Sequence, residues 1–185
     1  VIVIEVESNP LSCSSSSATL ASAGSLGWTQ SNSAPLNNTW HPYPLLNTLL
    51  GFDIAPSVAD IGVEANSSID NNNSCLNNTN FYYGLDGNAG GDIDFLSTML
   101  HEIIHGLGFQ TLVDLQTGVR PSNDNDVYMH HLEDHSLNDN WSDATMSNNE
   151  RITSAIDDGD LHWTGSNVSA NLGSVTAGAS SGHIQ

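Results

Sequence analysis

Residues 96–109 read Leu96-Ser97-Thr98-Met99-Leu100-His101-Glu102-Ile103-Ile104-His105-Gly106-Leu107-Gly108-Phe109. Apolar side chains at Phe95, Leu96, Met99, Leu100, Ile103, Ile104 and Leu107 recur at helical spacing, which predicts an amphipathic helix over 94–107. Asp92 or Asp94 can cap its start and complement its dipole, and Gly106 and Gly108 supply the stop. Such a helix stacks His101 and His105 one turn apart, so both imidazoles project from one face and can reach one ion. Ile103, Ile104 and Leu107 are expected to face a core, where two histidines and a glutamate need partners, and zinc is the simplest one. A catalytic zinc site takes three protein ligands and keeps one position for water. Glu102 stands beside the pair, suited to serve the water: a metal brings that water's pKa from about 16 towards about 7, within reach of a carboxylate acting as general base and then as proton donor to a leaving amine.

Outward from this helix the chain reads as α+β. Val1-Ile2-Val3-Ile4 opens a strand over 1–7 that Pro10 ends, and 58–65 alternates as a second strand. Between them 11–38 is rich in Ser, Ala, Gly and Asn and reads mostly as loop, followed by a helix over 43–50 that Gly51 stops. A polar loop over 66–80 leads to a short strand at 81–83. Beyond the central helix we expect an irregular strand over 112–115, helices over 126–134 and 148–156, an extended piece at 161–163, and a small, polar tail over 166–181. One domain is expected, with a small twisted mixed sheet backed by the central helix and an irregular C-terminal half.

Charge narrows the function. Two basic residues, Arg120 and Arg151, face 21 acidic ones, for a formal net charge of −19. Such a surface repels phosphate backbones and anionic headgroups, attracts divalent cations and suits a saline external setting, so nucleic acid is not an expected partner. No apolar run approaches the roughly 20 residues of a membrane span, and the apolar opening is too short for the core of a signal peptide. Cys13 and Cys75 lie in stretches that read as exposed, and in an exported protein such a pair predicts one disulfide. The sequons at Asn37, Asn66, Asn72, Asn77, Asn140 and Asn167 mark nothing more than exposed loops.

The segment 96–109 resembles the active-site helix of metzincin-type zinc peptidases, especially those sharing HExxHxLGF with leishmanolysin. The stretches 126–136, 146–151 and 159–165 are similar to a group of secreted bacterial peptidases of this kind. The resemblance implies a zincin-like fold, a zinc ion on His101 and His105, Glu102 as the base, and Gly108 as the residue that lets the chain leave the helix beneath the metal. It implies an extracellular endopeptidase acting on proteins or peptides.

One departure stands out: the short metzincin pattern puts its third histidine where this chain has Thr111. In leishmanolysin-like relatives that ligand lies far downstream, so a fragment lacking it is expected. Within the chain the candidates are His162 and then His183. His131 and His135 form a second pair four residues apart, with Asp134 where an inverted motif would carry glutamate; a solvated helix face is the expected reading. Met129 and Met146 are expected as core or loop residues rather than as a methionine turn. Asp86, Asn88, Asp92 and Asp94 give 86–94 the oxygen-rich character of a calcium loop, although a polar turn reads equally well. The rival functions are a non-catalytic binding or structural module that kept the helix, and a zinc hydrolase acting on a non-peptide amide or ester.

Overall fold

The computed structural model describes residues 1–157 and 159–171. In chain order they form β1 (Ile4–Asn9), β2 (Ala21–Ser25), β3 (Trp28–Thr29), β4 (Thr39–Pro42), α1 (Tyr43–Leu50), β5 (Ile61–Asn66), β6 (Phe81–Tyr82), β7 (Ile93–Asp94), α2 (Phe95–Gly106), β8 (Asn125–Asp126), β9 (Leu132–Asp134), β10 (Asp139–Asn140), α3 (Asn148–Ser154), β11 (Leu161–Trp163) and α4 (Ser166–Asn171). The arrangement is α+β, with small sheets. It groups into two compact units, Val1–Trp28 with Pro42–Gly108, and Thr29–His41 with Phe109–Gln185.

The first unit holds a mixed sheet of order β1-β5-β2, in which β5 runs parallel to β1 and antiparallel to β2. Along β5 the pleat turns Ile61, Val63 and Ala65 to one face, where all three are buried, and Gly62 and Glu64 to the other. The helix α2 packs on β2 and β5. Ala21 and Ala23 in β2 keep that face low, and Gly106 lets the last turn of α2 settle on the sheet: a Cβ there would come 2.3 Å from Ile61 Cγ2. The strand β2 interrupts the stretch over 11–38 expected to be mostly loop. Ser, Ala and Gly have poor strand propensity, but pairing with β5 and the need for small residues beneath a helix override it.

Cys13 and Cys75 form the expected disulfide, closing a sequence separation of 62 residues. Cys75 is not exposed as expected; it is fully buried with Ile69 and Phe81, while Cys13 packs half-buried at the margin of that cluster. Asn66 departs from its reading in the same way. It ends β5 at 2% exposure, accepting from the Leu11 and Ser68 amides and donating to the Ser12 and Thr19 carbonyls. The helix α1 matches the expected 43–50, and Gly51 closes it at φ 77° with its N–H on the Asn47 carbonyl.

The second unit has its own core, built of Val113, Tyr128, Met129, Leu132, Trp141, Met146, Ala155 and Leu161. Both methionines are core residues, as expected. Trp141 is fully buried and donates from Nε1 to Ser154 Oγ at 2.9 Å. An antiparallel sheet of order β10-β9-β11 lies against this core, and β4 pairs in parallel with β8. The expected extended piece is β11, and the helix expected over 148–156 is α3, opened by a capping box between Ser147 and Glu150.

Two expectations fail here. The helix expected over 126–134 is replaced by β8, a single turn at Met129–His131 and β9. Asp126, fully buried, accepts from Thr111 Oγ1, the Leu112 amide and the Met129 amide, and so pins a turn where the apolar spacing suggested a helix. Leu132 and Asp134 then turn inward with Glu133 between them, which is strand alternation. The strand expected over 112–115 reduces to an isolated bridge, Asp114 with Val119, because Asp114 Oδ1 takes the Gln116 and Thr117 amides and closes a turn. The polar tail begins as α4; the rest of it, with His183, lies outside the described residues.

Candidate functional site

The side chain of Asp94, one of the two expected caps, accepts the Ser97 amide at 2.7 Å, and the Leu107 amide reaches the Ile103 carbonyl at the far end of α2. The chain then leaves through Gly108 at φ 113°, where a Cβ would stand 2.7 Å from Pro42 Cγ. Glycine is therefore required twice just after the second histidine: at Gly106 for seating on Ile61, and at Gly108 for the exit.

Between these ends His101 and His105 turn their rings toward each other, centroids 4.7 Å apart and nearly edge to face, with the two Nε2 atoms 3.1 Å apart. Two nitrogens bound to one tetrahedral zinc at about 2.05 Å stand roughly 3.3 Å apart, so the pair fits the bite of a single ion with little rearrangement. The same spacing lets one Nε2–H donate to the other ring. His105 is 8% exposed, His101 is exposed and Glu102 is half-buried, which leaves the pair reachable from solvent on one side.

The helix presents one surface that periodicity assigned to a core. Leu96, Leu100, Ile104 and Leu107 are 43, 53, 50 and 41% exposed, so Ile104 and Leu107 do not face a core as expected. Both helix faces are apolar, and hydrophobic spacing alone cannot tell which of them packs on the sheet.

Among the described residues no set of three His, Cys, Asp or Glu side chains could hold a metal ion. His162 lies in β11 of the second unit, where its ring stacks on His135 at 3.9 Å and its Nε2 stands 2.9 Å from the Gly159 carbonyl. His131 does not share a helical face with His135, because β9 separates them; its ring packs instead on Trp163 at 4.8 Å. The acidic loop before α2 uses its oxygens internally. Tyr82 and the Asn88 amide donate to Asp86, and the Tyr82 hydroxyl foremost holds that carboxyl at about 2; Asp92 accepts the Asn80 amide, and Asp94 caps α2.

Two further histidines share a partner that the sequence does not reveal. His41 is 1% exposed with Nδ1 2.9 Å from the Thr39 carbonyl, and His130 Nε2 lies 3.3 Å from Thr39 Oγ1. Burial pushes both imidazoles below the usual histidine range. Positions 41 and 130 carry no motif, and both side chains reach Thr39, which pairs with Asn125 through β4 and β8.

Against known proteins, one family profile, described as SPBPB7E8-like, matches residues 30–156. No curated protein matches. No solved structure matches either.

Proposed function

This chain belongs to the SPBPB7E8-like family, and we propose that it is a zinc-dependent extracellular endopeptidase of the metzincin type. The observation that carries this reading is the 3.1 Å approach of His101 Nε2 to His105 Nε2 on a helix that packs against a mixed sheet. A zinc ion there would acidify a water molecule for attack on a peptide carbonyl. His101 and His105 would hold the ion. Glu102, half-buried between them in sequence, takes a proton from the water and returns it to the leaving nitrogen. The order β1-β5-β2, with an antiparallel edge strand and a helix across one face, supports a zincin-like first unit. The disulfide supports an extracellular setting, and among the described residues no helix is long and apolar enough to cross a membrane. Calcium in the 86–94 loop stays a weaker proposal, since its carboxylates already have protein donors.

The alternative is a metal-binding or structural module without catalysis. It is favoured by the lack, among the described residues, of a third side chain converging with the pair. Zinc analysis and casein hydrolysis on the whole gene product separate the two. Glu102→Gln is expected to retain zinc and lose hydrolysis by about 10²-fold or more, and His105→Ala to lose zinc. Equal hydrolysis by wild type and Glu102→Gln overturns the role of Glu102. Zinc bound without hydrolysis by the wild type leaves the module.

A further inference from the structure

In the sheet of order β1-β5-β2 the outer edge of β1 pairs with no strand among the described residues. The Val3 and Asn9 carbonyls accept from the Ile61 and Ser67 amides, on the β5 side. A parallel strand turns the N–H and C=O of one residue to the same side and alternates from residue to residue. Those of Ile4, Val6 and Ser8 therefore point away from β5, and their donors and acceptors are left for an added strand.

Both faces of that edge are open, and they differ in chemistry. Ile4 and Val6 lie beside Ile61 and Val63, on the face that α2 covers over β2 and β5, yet they stay 40 and 62% exposed. Next to Val6 a cavity of about 320 Å³ opens, walled by Ala65, Phe81, Tyr83 and Phe95. On the opposite face Glu5 lies beside Gly62 and Glu7 beside Glu64, around a cavity of about 380 Å³. Asn9 Nδ2 donates to both Glu7 and Glu64 at 2.9 Å. No lysine or arginine of the first unit offsets these carboxylates, because the chain's two basic side chains, Arg120 and Arg151, belong to the second.

Edge, apolar face and acidic face together specify an occupant. A second copy suits them poorly: β1 against β1 in antiparallel register about Val6 sets Glu5 of each copy opposite Glu7 of the other, and like charges directly opposite are destabilising. We propose that β1 is a docking edge for an extended segment of a partner protein in which lysine or arginine alternates with apolar residues. Backbone bonds to Ile4, Val6 and Ser8 hold that segment, its cations lie beside Glu5 and Glu7, and an apolar side chain enters the cavity next to Val6. Neither histidine of α2 takes part.

The test is fluorescence anisotropy of a labelled, end-blocked peptide of alternating lysine and valine added to the full chain at fixed ionic strength. Saturable binding is expected. A peptide of equal charge with proline in place of valine is expected to bind about tenfold more weakly or worse, since proline has no N–H for the ladder. Val6→Pro removes an outward N–H of β1 and is expected to cost about as much. Glu5→Lys with Glu7→Lys, which alters only exposed side chains, is expected to release the lysine peptide and to take up its glutamate–valine counterpart, which the wild type does not bind. Equal affinity for the valine and proline peptides would mean that charge alone acts, and overturns the docking edge. So does a charge-reversed variant that binds the lysine peptide as the wild type does, or a wild type that does not bind it. A wild-type dimer in sedimentation that Val6→Pro dissolves puts a second copy on the edge and overturns the basic partner. If Val6→Pro does not fold, the peptide pair and the charge reversal decide.

Discussion

Removing the Cys13–Cys75 bridge is the perturbation whose size follows most directly from the fold. Its half-cystines are 62 residues apart in sequence, and the chain-entropy relation puts the loss for a loop of that length at about 4 kcal/mol. The two ends differ in packing. Cys13 is half-buried, whereas Cys75 is fully buried against Ile69 and Phe81. Cys13→Ala therefore removes little beyond the cross-link, and Cys75→Ala removes the same cross-link and buried sulfur contacts worth about 1 kcal/mol more. Urea unfolding under reductant for both variants, against the oxidised wild type, measures the two quantities. Cys13→Ala should move the midpoint down by about 4 kcal/mol divided by the slope, and the slope should rise because the released denatured chain exposes more surface. Coincident midpoints for Cys13→Ala and oxidised wild type, with the bridge verified by alkylation, would refute the reasoning.

Two further outcomes follow from the first unit. Gly106→Ala drives a methyl against Ile61 Cγ2 and is expected to destabilise by about 1–3 kcal/mol, read by urea unfolding; an unchanged midpoint would mean that α2 does not seat on β5 at that turn. Desolvation and then the Asp70 carboxylate push Tyr83 up to about 12, its hydroxyl donating to Asp70 Oδ2 at 2.6 Å. A folded pKa above the unfolded value near 10 favours the protonated phenol, so the stability it brings is whole below pH 10 and is lost as pH rises through about 12. Because the residue is 60% exposed, Asp70→Asn is the informative variant: tyrosinate absorbance should show one phenol titrating earlier than in wild type, and superimposable curves would exclude the Asp70 contact.

The central helix was legible because several local signals agreed: apolar spacing, an aspartate at the cap and glycines at the exit. Its orientation was not, since apolar side chains occupy both faces and Leu96, Leu100, Ile104 and Leu107 turn out exposed. The strand β2 was hidden for the opposite reason. Its residues, Ala-Ser-Ala-Gly-Ser, are chosen for what lies over them and have almost no preference of their own. The turn replacing the helix expected over 126–134 depends on Asp126 accepting bonds from residues 111 and 112, and sequence spacing carries no trace of such partners. At the site, the histidine pair could be read from residues four apart on one helix. The approach of His41 and His130 to a common partner, Thr39, depends on tertiary pairing and could not.

The burial of Asn66 bears on how this protein can be produced. In a eukaryotic secretory host its sequon would meet the glycosylation machinery while the chain is still extended. A sugar attached then would occupy the very nitrogen that later donates to the Ser12 and Thr19 carbonyls, and β5 could not close against its neighbours. Molecules modified at that asparagine should be retained as misfolded and the exported fraction should lack sugar there, so the yield from such cells would be governed by a race between folding and glycan transfer.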